Sequence, residues 1–264
     1  MTTRNKNDHV LTGEEAAELV SRQGERVIIP YGYTEIGDSA FFGAHITSVT
    51  VPDTVTKIGD FTFSNCENLT EVNLPGGLTE IGGLAFNRCE SLESINIPDS
   101  VARIGNSAFE HCSNLKGVVL PRSLRIVKLN TFRECVNLGS VTIYGGVTEI
   151  ETSAFYNCRA LTRLNLSRGL LNIGNIAFKN CVSLSEAAFP HGLKKIGWNA
   201  FTGCENLTKI TIPDRETLIC SDAFKHCGDI TAYCPENSLA FEYFRLCGLK
   251  AVIITSDPDN SSCV

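Results

Sequence analysis

The chain has 264 residues, of which 43% are hydrophobic and 20% are charged, a composition that suits a soluble protein with a long buried core. No apolar run reaches about 18 residues, so the sequence offers no transmembrane helix and predicts no membrane insertion. The formal net charge of −6 argues against a nucleic-acid partner, because binding of phosphate groups requires clustered lysine and arginine side chains.

The N-terminal segment, residues 1–26, is predicted to be a polar N-terminus followed by a capping helix. Thr12 and Glu15 have the spacing of a capping box, which predicts a short helix over residues 13–22. The apolar residues available to face the first coil are Ala16, Ala17, Leu19 and Val20. The first ten residues are polar, and no apolar segment of a secretory signal follows them. This favours a cytoplasmic location if the chain is complete, and a cell-surface or secreted location if it is a fragment.

A repeat of 23 residues fills the middle of the chain. Its most regular feature is a phenylalanine followed three residues later by a cysteine. The cysteines are Cys66, Cys89, Cys112, Cys135, Cys158, Cys181, Cys204 and Cys227, and the phenylalanines are Phe41, Phe63, Phe86, Phe109, Phe132, Phe155, Phe178, Phe201 and Phe224. A fixed period of this length indicates a solenoid, in which each coil stacks on its neighbours to bury its apolar face. We predict one β-rich repeat solenoid of about nine coils over residues 27–254, including its C-terminal cap.

The unit that begins at Phe86 shows what one coil contains. Ile95 and Ile97 alternate with polar residues, which is typical of a half-buried strand. Pro98 ends that strand because proline cannot donate to a ladder. Gly105 suits a tight turn, either through a positive φ or because another part of the backbone comes close. Each coil is therefore predicted to hold a strand, a turn, a second short extended segment and a tight turn that carries Phe and Cys.

The C-terminal part of the repeat region is predicted to form a second helical cap. Residues 239–247 are rich in apolar side chains, and Gly248 follows them in the position of a C′ glycine. Residues 251–254 are predicted to be a last strand, and the polar residues 255–264 are predicted to be disordered. Caps are needed because the terminal coils of a solenoid would otherwise expose their apolar faces.

The unit, written Ala-Phe-x-x-Cys-x-x-Leu-x-x-Ile-x-Ile-Pro-x-x-Val-x-x-Ile-Gly, resembles the BspA-type bacterial leucine-rich repeat over about residues 27–254. Two segments are similar to the typical repeat sequence of that family, namely Asn-Cys-Glu-Asn-Leu at 65–69 and Ile-Pro-Asp-Ser-Val at 97–101. The resemblance implies a right-handed curved solenoid with one parallel sheet on its concave side, used for protein recognition or adhesion. Tyr144 and Ser167 replace the proline, and Lys128, Glu151 and Cys220 replace the turn glycine, so we expect local irregularity there.

The eight cysteines of the repeat are predicted to be unpaired, buried thiols. Equivalent positions on successive coils lie about 5 Å apart with parallel side chains, whereas a disulfide prefers Cβ atoms about 3.5–4.5 Å apart. Free thiols in this number favour a reducing compartment. Outside the repeat stand Cys220, Cys234, Cys247 and Cys263. Cys220, Cys227 and Cys234 are evenly spaced beside His226, but the close cysteine pairs common in structural zinc sites are absent, so we predict no metal.

The sequence contains no recognisable catalytic constellation. His111 and His226 each precede a cysteine of the repeat, which superficially suggests a Cys-His pair for nucleophilic catalysis. Other units place variable polar residues at the same position, so a solvent-facing turn is the simpler interpretation. Phosphate-binding loops, nucleophile elbows and zinc-protease motifs are absent as well. We predict a non-enzymatic protein without a cofactor.

The outward-pointing strand residues are the candidates for binding, because they alternate with buried ones and must project from the concave sheet. These candidates are Glu71, Asn73, Asn96, Val119, Thr142, Arg163, Asn165, Glu186, Lys209 and Thr211. Simple solvation of a sheet is one interpretation of such polar columns. A shallow surface for a protein or peptide is the other, with Arg163, Asn165, Glu186 and Lys209 as its most adaptable hydrogen-bonding patch and Val119 as its apolar contact.

We therefore predict a recognition module that binds an unidentified protein or peptide through its concave face. The alternatives are a structural scaffold with weak self-association or a cell-surface adhesin. A thiol- or zinc-dependent activity at the C-terminal cysteines is the third and weakest hypothesis.

Overall fold

The computed structural model of the protein describes residues 10–254, so the predicted disordered tail and residues 1–9 lie outside it. The fold is a parallel-strand solenoid of about 11 turns, which confirms the predicted class. Nine of these turns carry a phenylalanine of the repeat. In chain order the elements are β1 (Val10–Leu11), α1 (Gly13–Gln23), β2 (Arg26–Ile28), β3 (Glu35–Ile36), β4 (Ser48–Thr50), β5 (Lys57–Ile58), β6 (Glu71–Asn73), β7 (Glu80–Ile81), β8 (Arg103–Ile104), β9 (Gly117–Val119), β10 (Ile126–Val127), β11 (Ser140–Thr142), β12 (Glu149–Ile150), β13 (Arg163–Asn165), β14 (Asn172–Ile173), β15 (Glu186–Ala188), β16 (Lys195–Ile196), β17 (Lys209–Thr211), β18 (Leu218–Ile219), β19 (Thr231–Cys234), α2 (Leu239–Leu246) and β20 (Lys250–Ile253).

The longer strands form the main face, which corresponds to the predicted concave sheet. They pair in the orders β2-β4-β6 and β20-β19-β17-β15-β13-β11-β9, and an isolated bridge between Ser94 and Gly117 lies between these two sheets. Within a typical strand the middle residue is buried and its neighbours are exposed, as for Val72 between Glu71 and Asn73. The predicted alternation is therefore confirmed.

The two-residue strands form a second face, the side sheet, from the predicted second extended segment of each coil. They pair in the orders β1-β3-β5-β7-β8 and β10-β12-β14-β16-β18. The break between β8 and β10 falls where Lys128 replaces the turn glycine, which matches the expected irregularity. Glu151 and Cys220 also replace glycine, yet they donate their N–H groups to the preceding coil at 2.8 and 2.9 Å. Loss of the glycine alone does not interrupt the ladder.

The turn glycines are required by close packing of the coils. A Cβ atom at Gly105 would lie 2.3 Å from the nitrogen of Gly83, and one at Gly82 would lie 2.5 Å from the carbonyl carbon of Gly59. Real Cβ atoms do not approach a backbone so closely, so a side chain would force the coils apart. These glycines do not adopt a positive φ. Of the two reasons predicted for a glycine in this turn, the close approach of another part of the backbone is therefore the correct one.

Positive φ angles occur instead on both sides of the phenylalanine, two residues before it and two after it. The non-glycine residues there have φ between 49° and 62°. His111 and His226 belong to this group, which explains why their position favours small or polar residues. His111 is half-buried and His226 is exposed, so only His226 fits the predicted solvent-facing turn fully.

The core is a continuous column of stacked aromatic rings. From Phe41 to Phe224, neighbouring rings lie 5.1–5.4 Å apart with interplanar angles of 2–16°. Each ring is fully or almost fully buried. Because each ring stacks on the rings of the adjacent coils, the 23-residue period of the sequence becomes the packing period of the core.

The N-terminal cap has the predicted helix. Thr12 and Glu15 make both hydrogen bonds of the capping box at the start of α1. Ala16 is buried, Leu19 and Val20 are half-buried, and Ala17 is exposed, so Ala17 was wrongly expected to face the first coil. The amide of Gln23 then both donates to and accepts from the backbone of Ile28, at 3.0 and 2.8 Å. That side chain therefore covers part of the outer edge of β2.

The C-terminal cap also follows the prediction. Ser238 accepts a hydrogen bond from the N–H of Phe241 at the start of α2, and Gly248 has a φ of 70° just beyond its end. Phe244 packs on Phe224, with ring centroids 5.4 Å apart, and so closes the aromatic column. The last strand is β20, which begins one residue earlier than predicted and pairs with β19.

Candidate functional site

The main face separates the ten candidate residues into three groups. Glu71 and Asn73 lie on β6 in the three-stranded sheet, where the Asn73 amide donates to the Glu71 carboxylate at 3.0 Å. Asn96 is exposed between the two main sheets and lies outside any strand. The remaining candidates lie on the seven-stranded sheet and are Val119, Thr142, Arg163, Asn165, Glu186, Lys209 and Thr211. Only this last group shares one continuous ladder.

Five of these candidates surround a single hollow, which we call the main-face depression. It has a volume of about 220 Å³ and is lined by Arg163, Leu164, Asn165, Glu186, Ala187, Ala188, Lys209 and Thr211. Parallel pairing places Arg163 directly beside Glu186, and Glu186 directly beside Lys209. The predicted hydrogen-bonding patch is therefore assembled by the strand register.

The hollow is open toward solvent because β15 carries the short side chain of Ala188 on its exposed side. Ala187 occupies the buried middle position that holds Leu164 in the preceding strand and Ile210 in the following one. Ala188 pairs with Thr211 on the exposed side. Ala188 stands at an outward-pointing position of the polar column but was not among the predicted binding residues, although the smallest side chain of such a column marks where the column is indented.

The charges of the main-face depression alternate in sign but form no ion pairs among the described residues. Arg163, Glu186 and Lys209 are exposed, and among the described residues no ion pair joins them to one another or to a neighbour. Elsewhere the solenoid does pair charges between coils, as between Lys57 and Glu35 at 2.6 Å. The depression therefore presents two cations, one anion and an amide that can form hydrogen bonds with a partner.

Val119 and Thr142 extend this surface toward the N-terminus. They are neighbours in register on β9 and β11, and Thr142 is in turn beside Asn165. Val119 is 51% exposed, which suits the predicted apolar contact. The continuous candidate surface thus runs from Val119 to Thr211 along one sheet, with its polar centre at the main-face depression.

Seven of the eight cysteines of the repeat are buried, which makes their thiols poor nucleophiles. Cys66, Cys89, Cys112, Cys135, Cys158, Cys181 and Cys204 are buried and unpaired, as predicted, whereas Cys227 is only half-buried, contrary to the prediction. Burial raises the pKa of Cys66, Cys112 and Cys181 to about 12. A contact with the Cys227 thiol, together with burial, raises the pKa of Cys204. Such thiols are poor nucleophiles because the thiolate is the reactive form.

The C-terminal cysteines do not share one site. Cys227 and Cys247 line a depression of about 310 Å³ together with His226 and Tyr243, while Cys220 and Cys234 do not line it. Burial raises the pKa of Tyr243. Across residues 10–254, no three histidine, cysteine, aspartate or glutamate side chains are grouped so that they could hold a metal ion. Cys263 lies outside the described residues.

None of the helices within residues 10–254 combines the length and apolar character needed to cross a membrane.

Comparisons with known proteins agree with this architecture. The model of the family "BspA type Leucine rich repeat region" matches six copies, over residues 34–162, 104–231 and 148–257. Among curated proteins, none matches the chain significantly in sequence.

Solved structures of bacterial repeat proteins superpose on the chain. A leucine-rich repeat protein from Bacteroides ovatus is 26% identical with a TM-score of 0.68, over 80% of this chain and 64% of that one, so the chain spans less than two thirds of its length. The T. pallidum leucine-rich repeat protein TpLRR is 34% identical with a TM-score of 0.57, over 61% of this chain and 78% of that one. The pneumococcal vaccine antigen PcpA, at 14% identity and a TM-score of 0.57, over 88% of this chain and 80% of that one, shares the fold. The chain belongs to the BspA-type leucine-rich repeat family, as the family match, the repeat sequence and the stacked coils together show.

Proposed function

We propose that this protein is a non-enzymatic recognition module that binds a protein or peptide partner through its main face. The observation that carries the proposal is the set of unpaired, alternating charges at Arg163, Glu186 and Lys209 around the main-face depression. Proteins of this family are typically non-enzymatic and are consistent with a recognition or scaffold role. A shallow hollow of about 220 Å³ suits one or two side chains of a partner better than a whole small molecule.

The electrostatic pattern also defines what the partner should offer. Charged groups across a protein interface are arranged so that opposite signs meet, which gives specificity and register. A partner segment should therefore present an acidic side chain on each side of a basic one, spaced to meet Lys209, Glu186 and Arg163 in adjacent strands. Asn165 and Thr211 would add hydrogen bonds at the same level of the sheet, and Val119 would add an apolar contact at the rim.

A charge swap on the main face tests this proposal. In the double variant Arg163→Glu with Glu186→Arg the net charge stays constant, while the signs at these two positions are exchanged and no longer alternate with Lys209. The matched control, Lys194→Glu with Glu216→Lys, makes the same swap at exposed residues outside the main face. Proteins retained by the wild type are identified from the source cells, purified, and titrated against all three forms.

A partner whose binding is lost in the main-face variant and kept in the control supports the proposal. Equal binding of each purified partner to both variants contradicts it. Thermal unfolding of both variants verifies that the swap has not simply destabilised the solenoid, since substitutions of exposed residues usually change stability by less than about 0.5 kcal/mol.

Weak self-association is a second candidate, favoured by the difference between the two ends. The outer edge of β2 is covered by Gln23, whereas among the described residues β20 pairs only on its β19 side. Near β20, Leu246 is 78% exposed and Ile253 is 42% exposed. A terminal coil with an apolar outer face and an open strand edge is prone to associate with a second copy.

Sedimentation at several concentrations tests this second candidate. The variant Leu246→Glu should lower the sedimentation coefficient at high concentration if the C-terminal end associates. Tyr31→Glu is the matched control, because Tyr31 is equally exposed, at 76%, near the N-terminal end. A strictly monomeric mass of the wild type at all concentrations contradicts self-association.

We further propose a reducing compartment, because Cys220, Cys227 and Cys247 are free thiols that are half-buried or exposed. A cell-surface adhesin is the alternative, since proteins of this family are often found at the cell surface. Protease treatment of intact cells followed by detection of the chain separates the two, because only a surface protein would be removed.

A further inference from the structure

A second cavity, larger than the main-face depression, opens on the side sheet. It has a volume of about 390 Å³, within the range of small-molecule sites. We call it the glycine groove, and the residues that matter for its chemistry are Asp60, Phe61, Glu80, Leu84, Arg103 and Lys128, over a floor that contains Gly82, Gly83 and Gly105. It lies away from the main face and plays no part in the proposed protein recognition.

The floor of the groove is bare main chain, and packing keeps it so. A Cβ atom at Gly82 or Gly105 would lie within 2.5 Å of the backbone of the preceding coil. No larger residue fits at these positions without separating the coils. A ligand can therefore approach the backbone closely, as glycine-lined sites allow.

One end of the groove is formed by Lys128. The side sheet is interrupted between β8 and β10, immediately before this residue. In the coils on the N-terminal side the equivalent position is glycine, at Gly59, Gly82 and Gly105. Lys128 therefore places an amino group at the end of the groove where the row of glycines ends.

One wall of the groove contains Phe61 and Leu84, which adopt an unfavourable backbone conformation. Their φ angles are 57° and 55°, in the left-handed region that bulky residues rarely occupy. Most other units place residues there that tolerate this conformation, namely Ser39, Ser107, Asn130, Ser153, Asn199 and Asp222. Residues held in strained conformations cluster at ligand-binding sites, where the strain persists because the surrounding structure enforces it.

Phe61 also keeps a face available to a ligand. Phe61 is 40% exposed, whereas Phe63, the column phenylalanine two residues later in the same coil, is buried. An exposed aromatic ring at the rim of a cavity offers a flat apolar surface against which a ring with axial C–H groups can stack. The positive φ belongs to the repeat, but most other coils place Ser, Asn or Asp there, so neither a bulky residue nor its partial exposure is needed at this position to build the solenoid.

The polar groups of the groove balance in charge. Asp60 and Glu80 supply two carboxylates, and Arg103 and Lys128 supply two cations. Arg103 and Glu80 are 3.7 Å apart, and Asp60 accepts a hydrogen bond from the N–H of Gly83 at 2.6 Å. An anionic or cationic ligand would meet a like charge as well as an opposite one, so the lining favours a ligand without net charge.

We propose that the glycine groove binds an uncharged saccharide, with a sugar ring against Phe61 and its hydroxyl groups bonded to Glu80 and Arg103. Carboxylate and guanidinium groups suit hydroxyls because one accepts and the other donates hydrogen bonds in fixed directions. The side chain of Asn106, which also lines the groove, can do both. We infer this class of ligand from the combination of an exposed aromatic ring, a polar lining without net charge and a floor of exposed backbone.

The test is a titration of the isotope-labelled full chain with neutral oligosaccharides, followed by NMR of the backbone amides. The probes are trisaccharides of glucose, galactose, mannose and N-acetylglucosamine, with inorganic phosphate, acetate and spermidine as charged probes. At least one neutral trisaccharide should shift the amides of Gly82, Gly83 and Gly105. The variant Phe61→Ser, which restores the residue type found in other units, should weaken that binding by about tenfold or more.

Ile176→Ser is the matched control. Ile176 is the third bulky residue with a positive φ at the equivalent position, at 49°, and it does not line the groove. This variant should bind the saccharide as the wild type does, and thermal unfolding shows whether each variant is folded. The proposal is overturned if no neutral trisaccharide shifts the groove amides, if Phe61→Ser binds as tightly as the wild type, or if a charged probe binds there more tightly than every sugar.

Discussion

The thiol of Cys112 donates a hydrogen bond of 3.1 Å to the main-chain carbonyl of Phe86, one coil earlier in the chain. The same bond recurs for all eight cysteines of the repeat, at 3.1–3.3 Å. It explains the residue type, because cysteine combines the small apolar volume needed beside the aromatic column with an S–H donor for a buried carbonyl. Each bond also ties one coil to its neighbour.

Removing one of these thiols should destabilise the solenoid. Cys112→Ala deletes a fully buried sulfur atom and its hydrogen bond, so we expect a loss of about 1–3 kcal/mol in the free energy of unfolding. Urea unfolding followed by circular dichroism measures it. Cys247→Ala is the control, because Cys247 is exposed and its replacement should change stability by less than about 0.5 kcal/mol. Equal effects of the two substitutions would contradict this account.

The stability of the protein should fall at alkaline pH in reducing buffer. Burial raises the pKa of Cys112 to about 12 in the folded state, whereas an unfolded cysteine ionises near about 8.5. Between these values the unfolded chain loses protons that the folded chain keeps. The stabilisation is therefore fully present below about pH 8.5 and is lost as the pH rises towards about 12, by about 1.4 kcal/mol per pH unit for each such thiol.

A single substitution isolates that effect from the other groups that titrate at high pH. Between about pH 9 and 11 the free energy of unfolding should fall less steeply with pH in Cys112→Val than in the wild type. The expected difference in slope is about 1.4 kcal/mol per pH unit, which corresponds to one proton. Thermal or urea unfolding at a series of pH values gives the slope. An unchanged slope would show that Cys112 ionises equally in both states.

Thiol reagents should separate the cysteines into two sets. Cys220, Cys227 and Cys247 are half-buried or exposed, so among the described residues these three should react in the native state. The buried cysteines should react only after denaturation, when all 12 of the chain become accessible. Mass spectrometry of peptides after brief alkylation identifies the sites. Native labelling of Cys135 at the rate of Cys247 would be incompatible with the packed column.

A gap in the aromatic column should cost more than the loss of an exposed ring. Phe132 is fully buried between Phe109 and Phe155, with centroids 5.4 Å from each, so Phe132→Ala should lower the free energy of unfolding by about 3–5 kcal/mol. Phe42→Ala is the control because Phe42 is 54% exposed. Urea unfolding compares them. Similar losses in both variants would mean that stacking contributes little.

The interruption of the side sheet should be visible in hydrogen exchange. Backbone amides at Val127 and Lys128 should exchange faster than those at the equivalent positions of β12, because a local opening there breaks fewer hydrogen bonds between coils. Lys128→Gly restores the glycine of the repeat and should slow this exchange. Uniform protection along the side sheet in the wild type would disprove the interruption.

Much of the fold could be predicted because its elements repeat a local rule. Alternating apolar residues, a proline and a glycine, as at Ile95, Pro98 and Gly105, indicate a strand, its end and a tight turn, and nine copies remove the ambiguity of a single short strand. The unit of Ile95 is itself the exception on the main face, because it forms only an isolated bridge at Ser94 and no strand there. The caps could be predicted for a different reason. Thr12 with Glu15, and Gly248 after an apolar helix, satisfy the backbone groups that every helix end leaves unbonded.

The departures from the sequence expectation are set by contacts between coils. No pattern within one unit reveals that β8 and β10 fail to pair while Glu151 keeps its bond to Val127, because that depends on the position of the neighbouring coil. Cys227 follows the repeat in sequence but is the last of its column, and it is half-buried because no further unit with the Phe and Cys of the repeat stacks on it.

The two columns of exposed residues on the candidate binding surface could be predicted from the sequence. The hollow between them could not. Register follows directly from the period, so Arg163, Glu186 and Lys209 were expected side by side. The indentation at Ala188 depends on the relative size of exposed residues in neighbouring strands, which becomes apparent when those strands are paired.

The register of the main face has a consequence for the length of this molecule. Val141 pairs with Val118 before it and Leu164 after it, each 23 residues away, and the same offset holds in the neighbouring strands. Duplication or deletion of one complete unit would therefore join surfaces that already match, adding or removing about 4.8 Å of rod without a new kind of contact. The gain or loss of one such unit would change the length of the solenoid while the residues of every other coil stay as they are.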